Sequence, residues 1–380
     1  MFLYISAGTS YDIYNRQFDA GLIDVGYQAQ KFNNNIIVGL SQKVEVVSLS
    51  ALPYFDVDTQ RIEDNEKNIR FICIKNCKGK LHKINKTKFL IQEGEKIIKD
   101  KRPAVIICDA ISFSHAFAAL YLSRKYRIPS IAIVTDVPEV MCSGKMNLFM
   151  RLDAICMKQF SAFILLTAQM NEIVNQKKRP YIVMEGSCIT NMPIPQRNEN
   201  GPAVCIYSGS LWKKNAGLEY LIEGFLLANI PNCELHFYGN GELTEKIMEI
   251  SEKHPKIKYM GCVTNAEMIQ RLSYAALLIN PRPSDEYFCK YSFPSKTFEY
   301  MASGVPVLMT KLPGIPTEYF NYVYTIDEEN GEGVCNKLKE IFNQPSNFMR
   351  NKGLTARKYI TENKNNVIQS QRILDFINSL

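Results

Sequence analysis

Short runs of β-branched, aliphatic and aromatic residues alternate with helical periodicity along almost the whole chain, and this narrows the possible folds more than any other feature. Strands separated by helices run parallel, because a helical crossover returns the chain to the same end of the sheet. In the first half the strand candidates are 2–6, 44–49, 69–74, 105–108, 131–135, 162–166 and 181–184, with helical stretches at 28–40, 88–99, 115–126 and 168–176. Between Ile189 and Pro202 the pattern breaks into Asn-Met-Pro-Ile-Pro-Gln-Arg-Asn-Glu-Asn-Gly-Pro, the strongest linker in the sequence. It then restarts with strands at 204–208, 234–238, 257–260, 277–280, 305–308 and 322–326 and helices at 217–227, 243–253, 265–272 and 294–303. The expected fold is α/β: two open parallel-sheet domains, 1–190 and 203–360, with ligands in an interdomain cleft beyond the carboxyl ends of the strands.

A length of 380 residues agrees with two cores rather than one. Hydrophobic residues at 46% and charged residues at 22% exclude disordered and collagen-like classes. The charge is unevenly placed: residues 1–195 hold 25 Lys and Arg against 18 Asp and Glu, whereas residues 196–380 hold 20 of each. Within the first half, 67–102 alone has 12 basic and 3 acidic residues, which points to a polyanionic partner or to a solvated Lys-rich face. The 11 cysteines are scattered without zinc-ligand spacing, and no metal site is expected. The first residues, Met1-Phe2-Leu3-Tyr4-Ile5-Ser6, lack a basic n-region and read as a strand, so a cytoplasmic chain with reduced thiols is expected. The apolar stretch 104–122 contains Asp109, Ser112, Ser114 and His115, and so reads as strand, loop and helix rather than a membrane span.

Three strand-to-helix turns in the second half carry candidate chemistry. Around Tyr291-Ser292-Phe293-Pro294-Ser295-Lys296-Thr297-Phe298-Glu299, Pro294 suits the first helical position. The amides of Ser295, Lys296 and Thr297 then become free donors at the positive helix end, an anion site that Lys296 strengthens if it swings back. Glu299, three residues beyond Lys296 on the same face, can accept two hydrogen bonds from a vicinal diol. A bland reading is an amphipathic helix with an incidental Lys–Glu pair. The second turn, Ser208-Gly209-Ser210-Leu211-Trp212-Lys213-Lys214, offers amides and two ammonium groups to a phosphate, or is an ordinary surface turn. The third, Tyr238-Gly239-Asn240-Gly241-Glu242, is glycine-rich, a weak signal by itself.

In order and spacing these turns, with Gly261 and the run Pro-Ser-Lys-Thr-Phe-Glu-Tyr-Met-Ala-Ser-Gly-Val-Pro-Val from Pro294, resemble the donor domain of glycosyltransferase family 4. Asn280–Glu286 and Lys290–Lys296 look like its bacterial exopolysaccharide, capsule and O-antigen branch. The resemblance implies a GT-B architecture of two Rossmann-like, doubly wound parallel-sheet domains, with a C-terminal segment, 361–380, crossing back to the first domain. It also implies metal-independent, retaining transfer of a sugar from a nucleotide diphosphate donor, a co-substrate rather than a bound cofactor. Carried over, Glu299 binds the ribose hydroxyls, residues 292–296 receive the diphosphate, Lys213 or Lys214 supplies the family's basic pair, and Gly209, Ser210, Gly239, Asn240, Gly241 and Tyr291 line the site. Lys214, Glu299 and Asp136 are the catalytic candidates.

The sequence departs from the family pattern at three places. The first glutamate of the Glu-x7-Glu pattern is Tyr291, leaving Tyr291 or the nearby Asp285 and Glu286 to face the donor sugar. The usual turn arginine is Ser210, and the usual histidine before Asp136 is Thr135. His115 is a further acceptor-side candidate or a structural histidine, and Gly8 marks either a close approach of acceptor or diphosphate or an ordinary turn.

The combined expectation is a transferase moving sugar from a UDP-sugar to a lipid-linked or saccharide acceptor in surface polysaccharide biosynthesis. The basic segment 67–102, with Phe71, Ile72, Ile74, Leu81, Ile84, Phe89 and Leu90 interleaved, would hold it peripherally on the anionic inner face of the plasma membrane. The alternative is a non-catalytic GT-B protein that binds a partner transferase or nucleotide sugar. No helix-turn-helix, RRM or zinc signature supports a nucleic-acid partner.

Overall fold

The computed structural model describes residues 1–19, 28–51, 61–74, 82–142, 145–188, 193–196, 201–212 and 217–380. They divide into two units, 1–187 with 366–380, and 188–365.

Among the described residues, unit 1 has an eight-stranded sheet of β1 (Phe2–Ser6), β2 (Val46–Ala51), β3 (Arg61–Glu66), β4 (Ile69–Ile74), β5 (Val105–Asp109), β6 (Ser130–Val134), β7 (Ala162–Leu165) and β8 (Tyr181–Val183). Their order is β3-β4-β2-β1-β5-β6-β7-β8, so the winding reverses between β1 and β5. The central strands are buried on both faces, which explains their unbroken apolar runs. One strand departs from the parallel expectation: β3 pairs antiparallel with β4. Its sequence, Arg-Ile-Glu-Asp-Asn-Glu, has no apolar run because an edge strand needs little burial and its charges discourage further pairing.

The reversal point sits over a buried polar chain. Tyr4 Oη donates to Asn33 Oδ1 at 2.8 Å, and Asn33 Nδ2 donates to Asp109 Oδ2 at 2.8 Å. Burial is the main cause that raises the Asp109 pKa, opposed by the Asn33 bond and the Ile111 amide. Gly8 is packed closely by helix Gln28–Ser41: a Cβ there would lie 2.7 Å from Ile37 Cδ1 and 3.0 Å from Asn33 Cβ. Helix Asn366–Asn378 completes this unit by packing on helix Gln28–Ser41, with Gln369 Nε2 donating to the Gly186 carbonyl at 2.7 Å.

The basic segment divides in a way periodicity alone did not disclose. Phe71, Ile72, Ile74 and Leu90 are core, Ile84 and Phe89 are exposed, and Leu81 lies outside the described residues. Among the described residues no helix is long and apolar enough to cross a membrane.

Unit 2 has a six-stranded, wholly parallel sheet: β9 (Ala203–Ser208), β10 (Cys233–Tyr238), β11 (Ile257–Tyr259), β12 (Leu277–Asn280), β13 (Val307–Thr310) and β14 (Tyr324–Ile326). The order β11-β10-β9-β12-β13-β14 reverses between β9 and β12, which opens the carboxyl ends of those two strands to a ligand. Hydrophobic cores flank this sheet, one around Leu221, Phe225 and Phe237, the other around Phe298, Tyr300 and Met301.

Candidate active site

Three loops at the carboxyl ends of β9, β10 and β11 are joined by main-chain hydrogen bonds. Gly209 N donates to Tyr238 O, Leu211 N to Asn240 O, and Gly239 N to Gly261 O, each at 2.9 Å. Gly239 has φ 126°, and a Cβ there would overlap the Gly209 carbonyl oxygen. Only glycine permits this spacing, so the weak Gly-x-Gly signal has a definite backbone cause. Ser210 and Asn240 are exposed at the rim, and Tyr207 Oη fixes the Ser210 carbonyl at 2.8 Å.

On the other side of the reversal stands helix Ser295–Ser303. The sequence expectation of Pro294 as first helical residue is corrected by one position: Pro294 is the N-cap, with φ −66° and ψ 118°. Its carbonyl takes the Thr297 amide at 2.9 Å, so Thr297 is not a free donor and the available amides are those of Ser295 and Lys296. Phe293, just before the cap, packs on Phe298 with ring centroids 4.9 Å apart, an apolar clasp that fixes how the chain enters the helix. The helix is tied to β9 by buried Tyr300, whose hydroxyl accepts the Ser208 amide at 2.8 Å and meets Ser208 Oγ at 3.1 Å. That bond ties the second turn of the helix to Ser208, the residue before Gly209.

Lys296 does not swing toward the helix end. Its Nζ lies 3.1 Å from Glu299 Oε2, and the two side chains are 28% and 16% exposed. A carboxylate has about four acceptor positions, and the Lys296 contact takes one of them. Arg282, on the loop after β12, reaches Ser292 Oγ at 3.4 Å and lies over the Phe288 ring at 5.6 Å. It forms no ion pair with a described carboxylate. Arg282 falls within the Asn280–Glu286 stretch that carries the family resemblance, but no role follows for it from sequence, because its separation from the helix along the chain hides its nearness in space.

Tyr291 is buried, with its hydroxyl 3.3 Å from Tyr287 Oη, whereas Asp285 is exposed and Glu286 half-buried. The loop that presents these acids is anchored by Glu329, a second residue the sequence reading missed: its carboxylate accepts the Ser284 amide at 2.8 Å and the Ser284 hydroxyl. Glu329→Ala removes both acceptors while leaving the sheet untouched, so amide hydrogen exchange across 282–288 is expected to quicken about 10-fold or more, the equivalent of one charged hydrogen bond of roughly 1.5–3 kcal/mol. Exchange unchanged from the parent would show that Glu329 does not hold the loop.

Lys213 and Lys214 lie outside the described residues. Gly209, Ser210, Gly239, Asn240, Gly241, Ser292, Phe293, Pro294, Ser295, Lys296 and Glu299 all belong to the loops and helix start at this end of unit 2. Asp136 belongs to unit 1, half-buried just beyond β6. His115 is buried, and desolvation first, then Lys86, holds its pKa well below the usual imidazole value, so the ring is neutral.

Residues 202–344, within unit 2, match the family described as glycosyl transferases group 1. No curated protein sequence matches the chain. Among solved structures, sucrose-phosphate synthase from Thermosynechococcus elongatus is 12% identical, aligning over 100% of this chain and 98% of its own with a TM-score of 0.70. Anabaena HepE in complex with UDP and glucose is 13% identical, with 100% and 99% coverage and a TM-score of 0.67. An E. coli structure described as trehalose-6-phosphate bound with UDP-2-fluoro glucose is 9% identical, with 99% of each chain covered and a TM-score of 0.71. The two parallel-sheet α/β units therefore have the GT-B glycosyltransferase fold.

Proposed function

We propose that the chain is a metal-independent, retaining glycosyltransferase that takes a sugar from a nucleoside diphosphate donor, with UDP as the nucleotide. The observation that carries this reading is the start of helix Ser295–Ser303 at the reversal point of a group 1 glycosyltransferase domain, with two open amides, Lys296 and Arg282 at one end and Glu299 one turn on. The amides and the two cations stabilise the diphosphate as it departs, and Glu299 takes the ribose diol. Preorganised donors of this kind contribute about 3–4 kcal/mol each to charge stabilisation in comparable sites, so several together supply the charge that a metal would otherwise bring. Arg282 supplies the guanidinium that Ser210 lacks. UDP bound to HepE supports the nucleotide assignment.

The acceptor is a lipid-linked or saccharide chain of surface polysaccharide assembly, and the protein works from the inner face of the plasma membrane. In support, helix Phe113–Tyr126 packs between helices His82–Asp100 and Leu148–Met157, and their outer faces carry exposed Ile84, Phe89, Phe117, Tyr121, Leu148 and Ile155 among basic residues. Neutralising exposed Lys88, Arg124 and Arg151 together should weaken sedimentation with phosphatidylglycerol vesicles about 100-fold, at roughly 1 kcal/mol per charge, with UDP binding unchanged. Equal sedimentation of parent and variant would remove this face from the account.

The functional test offers UDP-, GDP- and TDP-sugars with lipid-linked acceptors in membranes. Transfer from a UDP-sugar is expected. No turnover with any donor, together with no nucleotide binding, would overturn the enzyme reading; UDP binding without turnover would favour the non-catalytic alternative.

A further inference from the structure

A cavity of about 420 Å³ lies at the amino ends of β6, β7 and β8, within the size range of small-ligand sites. Ligands of open α/β sheets bind beyond the carboxyl ends, so the transfer chemistry leaves this cavity unused. Ser130 opens β6, Ser161 immediately precedes β7, and Arg179 stands shortly before β8, while Ser123 and Arg124 come from the last turn of helix Phe113–Tyr126. Two guanidinium groups therefore line the cavity, and among the described residues no carboxylate does.

Arg179 is half-buried and fixed by main-chain carbonyls. Its Nη1 donates to Gln159 O at 2.7 Å and to Phe160 O, which leaves its other N–H groups without a partner among the described residues. Lys177 Nζ, 3.2 Å from Gln159 Oε1, brings a third cation to the same place. Arg124 is exposed and makes no hydrogen bond or ion pair with a described residue. Its helix does not need it as a cap: Arg102 Nη2 donates to the Tyr126 and Arg127 carbonyls at 2.8 and 3.2 Å, and Lys125 supplies a cation in the same turn. Ser130 is 1% exposed, yet its hydroxyl bonds to no described residue, and a buried polar group without a partner is rare. Guanidinium groups without a counter-charge and a buried unpaired hydroxyl, all lining one cavity, suit an anion with several acceptor atoms.

We propose that this cavity binds a phosphate group, with Arg124 and Arg179 meeting its oxygens and the hydroxyls of Ser130 and Ser161 donating to it. A phosphate has enough oxygens to take two guanidinium forks and the hydroxyls at once, whereas a carboxylate is filled by one fork. The site is independent of the glycosyltransferase reading. Phe117 and Tyr121 stand exposed on the same helix face as Arg124, so the phosphate is that of a membrane lipid headgroup or of a soluble ligand.

The test is limited modification of the full chain with phenylglyoxal, which reacts with free guanidinium groups, each arginine being read by peptide mass spectrometry. Inorganic phosphate is expected to slow modification of both Arg124 and Arg179 about 10-fold or more at saturation, while exposed Arg350 of unit 2 reacts as before. Vesicles of phosphatidylcholine with phosphatidylglycerol form a second arm: stronger protection than by free phosphate assigns a lipid headgroup, and equal or weaker protection a soluble phosphorylated ligand. Arg124→Gln changes an exposed side chain, so it should keep the thermal unfolding of the parent and lose the protection of Arg179 in both arms. Failure of both arms to protect either arginine, or protection of Arg179 that survives Arg124→Gln, would overturn the site.

Discussion

Glu299→Ala lowers sugar transfer and UDP affinity by about 100-fold or more. Two hydrogen bonds from a ribose diol to a carboxylate contribute roughly 1.5–3 kcal/mol each, and losing both costs about 10²–10³-fold even when the contributions are not fully additive. The fold should survive, because Glu299 is part-exposed and pairs with Lys296 on the same helix. Freed from that pair, Lys296 can turn toward the phosphates, so nucleotide affinity should fall more for UDP than for inorganic pyrophosphate at this site. Glu299→Gln keeps the shape and one acceptor oxygen and should fall between. UDP affinity in Glu299→Ala equal to the parent would show that the carboxylate does not bind the nucleoside.

Gly239→Ala acts through the backbone instead. The residue is held at φ 126°, and an added Cβ would overlap the Gly209 carbonyl oxygen, a main-chain atom that no side-chain rotation can move. The loops after β9 and β10 must separate, breaking the Gly209–Tyr238 and Leu211–Asn240 hydrogen bonds. Backbone strain of about 1–3 kcal/mol with two lost hydrogen bonds puts the total near 4 kcal/mol, enough to unfold much of a marginally stable unit. Thermal unfolding should show the unit 2 transition lowered by several degrees or absent; a transition matching the parent would mean that the loops tolerate separation.

The parallel strands of both sheets were legible because burial on both faces forces continuous apolar runs. Strand β3 was not, since an antiparallel edge strand can be charged throughout. The Pro-Ser-Lys segment disclosed a helix start, but the cap residue depends on Pro294 ψ, which composition does not fix. Tyr300, Arg282 and Glu329 act through partners 92, 10 and 45 positions away in sequence, and such pairings follow from the strand order rather than from any local pattern. The same holds for Tyr4, Asn33 and Asp109. The burial of His115 was not legible either, since a lone histidine at a helix start carries no local sign of what packs around it.

The central claim is that unit 2 binds a nucleoside diphosphate at the start of helix Ser295–Ser303. Calorimetric titration of UDP into the parent chain and into a Lys296→Ala, Arg282→Ala variant tests it most directly. Saturable one-to-one binding by the parent, weakened about 100-fold or more in the variant, is the expected result. Equal UDP affinity in the two, or no binding by either, would contradict the account.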